Sequence, residues 1–197
     1  MKHTFSRRTL ASLLLVTALV PMLSGCPVVV GAGVVLGASS ADDRRTTATQ
    51  LEDQGIELKA ENRIGEKFSG SNVHINVVSF NRQALVTGEV PDAKTKQDIE
   101  RIVKTVPNVR TVFNEMVVGP TSSLGSRSND GFITSKVKAR LLDSGKVNSN
   151  HVKVFTEDGV VFLMGLVKRQ EGADAVEVAR TTSGVKRVVT GFFEYLD

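Results

Sequence analysis

Few side chains in this sequence belong to the types that carry catalysis, and their spacing matches no catalytic motif. Beyond the first 25 residues the chain has two histidines, His74 and His151, and one cysteine, Cys26. The sequence contains no H-E-x-x-H, G-x-S-x-G or P-loop spacing, which would place metal ligands, a nucleophile or a phosphate-binding loop. Each histidine precedes a predicted strand, and no further ligands are spaced for a metal. We therefore predict polar residues at strand edges rather than a metal site, and a non-enzymatic protein without a cofactor.

Cys26 is the only cysteine in the chain, and it follows a segment with the layout of a secretory signal. Three basic residues, Lys2, Arg7 and Arg8, precede an apolar run from Leu10 to Met22, which is too short to span a membrane. An exported protein with a single cysteine cannot close an internal disulfide, so this thiol requires another explanation.

The motif Leu23-Ser24-Gly25-Cys26 resembles the bacterial lipobox, which the lipoprotein signal peptidase cuts before the cysteine. The resemblance implies removal of residues 1–25 as a signal peptide and acylation of the Cys26 thiol through a thioether to diacylglycerol. Two alternatives stay open. One is an ordinary secretory signal with a chance cysteine. The other is a twin-arginine signal at Ser6-Arg7-Arg8, which the leucine-rich segment and the lipobox disfavour.

The charge balance excludes one class of partner. The full chain has 25 basic and 21 acidic residues, but three of the basic residues lie in the predicted signal. The mature chain is therefore close to neutral, whereas a nucleic-acid-binding domain needs a basic patch or stripe. We expect no nucleic-acid partner.

Residues 26–50 are expected to form a lipidated tether. After an apolar Val-Gly-Ala stretch, this segment carries serines, threonines and charged residues without a sustained hydrophobic period. As a flexible coil of about 25 residues it would reach roughly 25–30 Å. A few of its residues could still pack against the domain that follows.

The rest of the chain repeats itself at an offset of 77 residues. The offset pairs Ile56 with Ile133, Arg63 with Arg140, Val77 with Val154 and Gly88 with Gly165 without a gap. One residue is then lost from the second copy before Val109-Arg110 meets Val185-Lys186. A register held this long indicates two copies of one domain, at 51–119 and 130–197, joined by a linker rich in Gly, Ser and Pro at 120–129.

Each copy has the pattern of a helix, a hairpin, a second helix and a strand. In the second copy, Asn129 or Asp130 is the predicted N-cap of the first helix, which Gly145 ends. Asp158-Gly159 is a strong hairpin signal. The remaining predicted elements are Val152–Thr156, Val160–Val167, 171–182 and Val185–Leu196, with counterparts at Val73–Ser79, Leu85–Val90, Asp92–Val106 and Val109–Val118. The predicted fold class is α+β, with two tandem αββαβ domains, each a three-stranded sheet with two helices on one face.

The first helix of the second copy has an unusual outward side. Ile133, Val137 and Leu141 set its core direction, at i, i+4 and i+8. Apolar and basic residues share the rest of its surface and its C-terminal end: Phe132, Lys136, Lys138, Ala139, Arg140, Leu142 and Lys146. This composition is typical of a helix at a lipid interface, where apolar groups enter the acyl boundary and cations meet phosphates. We predict a phospholipid-binding face. The alternative is that Phe132 and Leu142 complete the core or an interdomain contact.

The first copy provides an internal control for this hypothesis. Gly55 and Gly65 occupy the positions of Phe132 and Leu142, and the helix alternates acidic and basic residues. The first domain alone is therefore expected to bind lipid weakly.

The strand Val160–Val167 is apolar on both faces. A strand of an antiparallel sheet with one solvated face should instead alternate between apolar and polar residues. The back of this sheet is therefore predicted to be covered, either by the first domain or by a partner protein. Packing against the first domain is the simpler explanation.

The two copies resemble the BON domain in their αββαβ order, in the glycine of the second strand (Gly88, Gly165) and in the closing Val-x-x-Val at 109–112 and 185–188. Behind a lipobox, they are similar to the dual-BON outer-membrane lipoproteins of Gram-negative bacteria, a lipid-binding type associated with division and outer-membrane stress. The stretches 161–167 and 183–188 match that family closely, and the resemblance covers nearly the whole mature chain.

The resemblance implies a protein that is lipid-anchored in the outer membrane, faces the periplasm, supports membrane integrity and binds an anionic phospholipid membrane through its second domain. Separately, we expect a monomer. Outer-membrane assembly or division-site proteins are candidate partners. The alternative function is an adaptor that docks and regulates an envelope protein complex, with the lipid only localising it. Pro27 departs from the family pattern, and although it is not the aspartate that retains lipoproteins in the inner membrane, it leaves membrane sorting open.

Overall fold

The computed structural model describes residues 43–70 and 72–196, so Cys26, the predicted signal and most of the predicted tether lie outside the described residues. Two αββαβ domains follow one another, which confirms the predicted fold. Domain 1 comprises α1 (Thr47–Phe68), β1 (His74–Phe80), β2 (Gln83–Val90), α2 (Ala93–Lys104), β3 (Thr111–Asn114) and β4 (Val117–Val118). Domain 2 comprises α3 (Leu124–Ser144), a 3-10 turn (Ser149–His151), β5 (Val152–Glu157), β6 (Val160–Val167), α4 (Arg169–Arg180) and β7 (Arg187–Tyr195).

Both domains have the same sheet topology, with strand orders β1-β2-β3 and β5-β6-β7. The first two strands of each sheet form an antiparallel hairpin, and the third runs parallel to the central strand. A parallel neighbour requires a crossover connection, which α2 and α4 provide. In domain 1 the third strand is interrupted at Met116, whose side chain is buried in the core, and β4 then continues along β2.

Two structured segments extend beyond their predicted limits. α1 begins at Thr47, inside the segment expected to be tether, and Thr46 caps it. α3 begins at Leu124, inside the expected linker, and its N-cap is Ser123, whose hydroxyl accepts a hydrogen bond from the Ser126 amide at 3.1 Å. The prediction that Asn129 or Asp130 caps this helix is wrong.

Asp130 instead binds the turn of the second hairpin. Its carboxylate accepts hydrogen bonds from the amides of Asp158 at 2.9 Å and Gly159 at 2.7 Å. Asp53, which the 77-residue offset pairs with Asp130, accepts both amides of the first hairpin turn at 2.8 and 2.7 Å. These turns place both central residues in the left-handed region, as type I′ hairpins require. Each aspartate thus fixes its domain's first helix to its hairpin, a role that the sequence reasoning missed.

The glycine in the second strand of each domain is required by a close approach of the first strand. A Cβ on Gly88 would lie 1.9 Å from the carbonyl oxygen of His74, and φ at Gly88 is +109°. A Cβ on Gly165 would lie 2.6 Å from the carbonyl oxygen of His151. The glycine shared by the two copies therefore has a steric cause in both.

The two domains pack sheet against sheet. Each has its own aliphatic core between its helices and one face of its sheet. A third cluster joins the opposite faces, with Val78, Phe80 and Leu85 from domain 1 and Phe162, Met164 and Phe192 from domain 2. The prediction that domain 1 covers the second apolar face of β6 is confirmed.

Polar contacts at the rim of this interface converge on Glu157. Its carboxylate accepts hydrogen bonds from the Asn76 amide at 2.8 Å and the Thr87 hydroxyl at 3.1 Å. His74 Nε2 lies 3.6 Å from the same carboxylate. Burial between the domains raises the pKa of Glu157 above its usual value, against the lowering effect of these hydrogen bonds.

Candidate membrane-binding surface

The outward side of α3 exposes two large apolar side chains. Ile133, Val137 and Leu141 are fully buried against the sheet. Phe132 and Leu142, on the other side of the helix, are 61% and 63% exposed. The alternative that these two residues complete the core is therefore wrong, and the domain holds them in solvent. Gly145 ends the helix in the left-handed conformation at φ 61°, as predicted.

Lys136 holds its charge beside the ring of Phe132. Its ammonium lies 4.8 Å from the ring centroid, within the range of a cation–π interaction. The same group donates to the carbonyl oxygen of Ser183, in the turn between α4 and β7. A Cβ on Gly184 would approach the Ile133 side chain to 3.2 Å, so the turn contacts α3 closely. Phe132 and Lys136 thus lie next to this turn, on one continuous surface.

Arg140 has a structural role that the sequence reasoning did not foresee. Its guanidinium donates to the carbonyl oxygen of Val178 at 3.0 Å and to the hydroxyls of Thr182 and Thr181 at 2.8 and 3.1 Å. These groups lie at the C-terminal end of α4, where carbonyls lack helical partners. Arg63, its counterpart, donates in the same way to the carbonyl and hydroxyl of Thr105, at the end of α2. Because both copies use this arginine as a helix cap, Arg140 is less available to a lipid headgroup than the lysines.

The remaining predicted site residues lie on the surface of domain 2. Lys138 and Ala139 are exposed on α3. Lys146 follows the end of the helix, and its ammonium is 3.8 Å from the Asp174 carboxylate. A solvated pair at this distance contributes little to stability and is readily exchanged for another anion.

The corresponding helix of domain 1 differs from α3 mainly in charge. Gly55 and Gly65 stand in α1 where α3 has Phe132 and Leu142, and a Cβ added at either glycine would meet no atom within 4 Å. Leu51 and Leu58 are nevertheless 53% and 61% exposed on α1, which the comparison of the two copies missed. α1 has three basic and five acidic residues, whereas α3 has four basic and two acidic residues.

The residues that precede α1 bind both domains. Arg44 donates to both carboxylate oxygens of Glu171 at 2.6 and 2.8 Å, and to the Leu166 carbonyl at 2.9 Å. The hydrogen bonds that the Glu171 carboxylate accepts from Arg44 lower its pKa to about 2. Arg45 pairs with Asp53 at 2.8 Å, and its guanidinium stacks 3.9 Å from the centroid of a domain 1 ring, that of Phe80. This strap, residues 43–46, therefore joins domain 1 to α4 of domain 2.

Within residues 43–70 and 72–196, no helix is both long enough and apolar enough to cross a membrane. The same residues bring together no group of three or more His, Cys, Asp or Glu side chains suited to hold a metal. His74 begins β1, and His151 ends the 3-10 turn that leads into β5.

Comparison with known proteins identifies the domains. The family model of the BON domain matches residues 52–120 and 129–192. Outer membrane lipoprotein DolP of Haemophilus influenzae is 36% identical over 89% of this chain and 91% of its own length. The 21 kDa hemolysin of Actinobacillus pleuropneumoniae is 32% identical over 75% of this chain and 76% of its own length. Osmotically-inducible protein Y of Escherichia coli is 30% identical over 70% of each chain.

The chain belongs to the BON-domain family and contains two copies of the domain. Its organisation is that of the dual-BON lipoproteins of the DolP type. On this similarity it is an envelope-associated protein, lipid-anchored at the outer membrane and facing the periplasm.

Proposed function

We propose that this protein is a non-enzymatic lipoprotein that binds anionic phospholipid through the outward face of α3 and thereby supports outer-membrane integrity. The observation that carries the proposal is the exposure of Phe132 and Leu142 on a well-packed domain, with Lys136 and Lys138 beside them. A folded domain gains nothing in stability from apolar side chains held in water. Exposed apolar groups interleaved with cations match the two layers of a bilayer surface, its acyl boundary and its phosphates.

The expected affinity of this face is modest by itself. Burying a phenylalanine or leucine side chain contributes up to about 1.5–3 kcal/mol, and each lysine near an anionic surface adds about 1 kcal/mol. Such a contribution suits reversible binding by a protein that an acyl anchor already holds at the membrane, because the anchor raises the local concentration of the face.

Charge explains why α3 rather than α1 is assigned to the lipid. Both helices expose large apolar side chains, with Leu58 of α1 as exposed as Phe132. The acidic excess of α1 opposes an anionic surface, whereas the basic excess of α3 favours it. The two domains of one chain therefore supply a test and its control.

The test is a titration of the unacylated mature chain, residues 26–197 with Cys26→Ala, against anionic and zwitterionic vesicles. Phe132→Glu should nearly abolish binding to anionic vesicles at any salt concentration. Joint reversal of Lys136 and Lys138 to glutamate should remove mainly the salt-sensitive part, because screening acts over about 8–10 Å in physiological salt. Leu58→Glu, with the same wild-type exposure as Phe132, is the matched control and should leave binding unchanged. Loss of binding in the control variant alone would refute the assignment to α3.

The anchor is proposed at Cys26, which lies outside the described residues. Several acyl chains are needed for stable attachment, since one gives marginal binding. The full-length protein with Cys26→Ala should therefore be recovered largely off the membrane. Mass spectrometry of the mature N-terminus of the unmutated protein decides the matter, and an unmodified Cys26 would contradict the proposal.

An adaptor for an envelope protein complex is the second candidate function. An adaptor could use any surface patch, but the outer face of β6, which carries Phe162, is covered by domain 1. One other observation favours it: Val117 and Val118 are 63% and 51% exposed on β4, at the edge of the first sheet. Such an edge can accept an added strand from a partner. Val117→Lys with Val118→Lys should then abolish partner capture in cross-linking experiments and leave vesicle binding intact.

A further inference from the structure

A cleft of about 410 Å³ adjoins the outward face of α3, between domain 2 and the first residues of domain 1. α3 lines it with Lys138 and Leu142, two of the residues proposed above to meet the membrane. Ser149 and Asn150, just before β5, contribute hydroxyl and amide groups. Domain 1 lines the other side, in part with Gln50 from the first turn of α1. The cleft is therefore continuous with the proposed membrane-binding surface, and both domains form it.

The cationic side chains that line the cleft differ in whether a carboxylate neutralises them. Arg45 is paired with Asp43 and Asp53, at 2.8 Å in each case. Lys153 is paired with Glu57 at 2.5 Å. Among the residues that the structure describes, Lys138 has no carboxylate within ion-pairing distance, so it is the lining cation whose charge is not neutralised.

Gln50 supplies the second unsatisfied group. Its side-chain nitrogen Nε2 is buried and has no hydrogen-bond partner within residues 43–70 and 72–196. A buried amide donor without an acceptor is destabilising, so native structures nearly always pair such groups. The cleft is thus lined by an unneutralised ammonium and by a side chain whose buried amide donor is unused, beside an apolar side chain that faces the proposed bilayer.

We propose that this cleft binds the headgroup of an anionic phospholipid, with Lys138 of domain 2 and Gln50 of domain 1 as donors to its phosphate. The proposal rests on the proposed function, because it places the acyl chains against Leu142 and the bilayer beyond it. A phosphate diester carries a negative charge, which would pair with the Lys138 ammonium, and acceptor oxygens, which would accept from the Gln50 amide. Domain 1 therefore takes part in lipid recognition without inserting a side chain into the membrane, and the fixed packing of the two domains becomes part of the site.

The experiment compares Gln50→Leu with Gln54→Leu in the unacylated mature chain. Leucine removes the amide at nearly constant size, and Gln54 is an exposed glutamine on the same helix, which makes it a matched control. Gln50→Leu should weaken binding to anionic vesicles about tenfold, as expected for a lost hydrogen bond to a charged acceptor. Gln54→Leu should bind as the wild type does. Thermal unfolding of both variants establishes that the comparison is between folded proteins.

A second measurement follows the Gln50 side-chain amide directly by NMR, with a short-chain anionic phospholipid below its micelle concentration and, separately, with inorganic phosphate. The lipid should shift this amide and the Lys138 signals together, at concentrations where phosphate does not. Equal shifts with phosphate would overturn the lipid assignment in favour of a soluble phosphate compound. If the Gln50 amide signal does not shift with the lipid, and Gln50→Leu binds vesicles as the wild type does, the proposed headgroup site in the cleft is refuted. Neither result would contradict the proposed function. That function is refuted only if the wild-type protein does not bind anionic vesicles or if Phe132→Glu does not change the binding.

Discussion

Replacing Phe162 by alanine tests whether the two sheets pack as one unit. This side chain is 4% exposed, and its ring centroid lies 6.1 Å from that of Phe192, within the cluster between the sheets. Truncating a buried phenylalanine costs about 3–5 kcal/mol, through lost burial and the cavity that remains. A folded domain is stabilised by only about 5–15 kcal/mol in total. We therefore expect Phe162→Ala to fold but to lose a large part of its free energy of unfolding.

The assay is urea denaturation followed by circular dichroism, where a lower midpoint at an unchanged slope reports lost stability. Phe132→Ala is the control, because Phe132 is 61% exposed and such surface changes stay within about 0.5 kcal/mol. The control should instead lose vesicle binding. Phe162→Ala should therefore lower the stability, and Phe132→Ala should lower the affinity for vesicles. A loss below about 1 kcal/mol for Phe162→Ala would refute the packing of the two sheets. A large loss for Phe132→Ala would refute the exposure on which the proposed function depends.

Three further predictions concern the backbone and the ion pairs. Gly88→Ala should prevent folding or cost several kcal/mol, since its Cβ would lie 1.9 Å from the His74 carbonyl oxygen, and a soluble variant with unchanged melting would contradict this. Asp130→Ala should cost about 2–4 kcal/mol by leaving two turn amides without their acceptor, with faster hydrogen exchange at those amides as the direct readout. Arg44 lowers the pKa of Glu171 to about 2, so the pair stabilises the fold above pH of about 4.5 and loses this effect as the pH falls towards 2. Glu171→Gln should therefore be less stable than the wild type by about 1 kcal/mol at pH 7. Most of this difference should be gone near pH 2, in urea titrations at both values.

Much of the fold follows from patterns that are local in the sequence. The i, i+4, i+8 spacing of Ile133, Val137 and Leu141 predicts which side of α3 is buried, and all three are fully buried. The two-faced apolar pattern of β6 predicts a cover over its second face. These predictions hold because the period of a helix or strand determines which side chains share a face, whatever packs against it.

Helix limits were less predictable, because a polar residue can satisfy several different partners. Asp130 has the type and position of an N-cap, yet its carboxylate binds amides 28 and 29 residues later in the chain. Ser123 caps the helix instead. The repeat contained the missing signal, since Asp53 stands 77 residues before Asp130, and one aspartate shared by both copies indicates a common role within the domain.

The sequence by itself determined that two related α+β domains exist, that one helix presents apolar and basic residues together, and that one strand needs cover on both faces. Only the tertiary structure decided which of those basic residues are available to a lipid headgroup. Arg140 is committed to α4, some 38 to 42 residues away in the chain, whereas Lys138 borders a cleft that domain 1 helps to form. Gln50 lines the same cleft from domain 1, and no acceptor within residues 43–70 and 72–196 pairs with its buried side-chain nitrogen. Periodicity reports the direction in which a side chain points, but the identity of its partner depends on which distant segment the fold brings there.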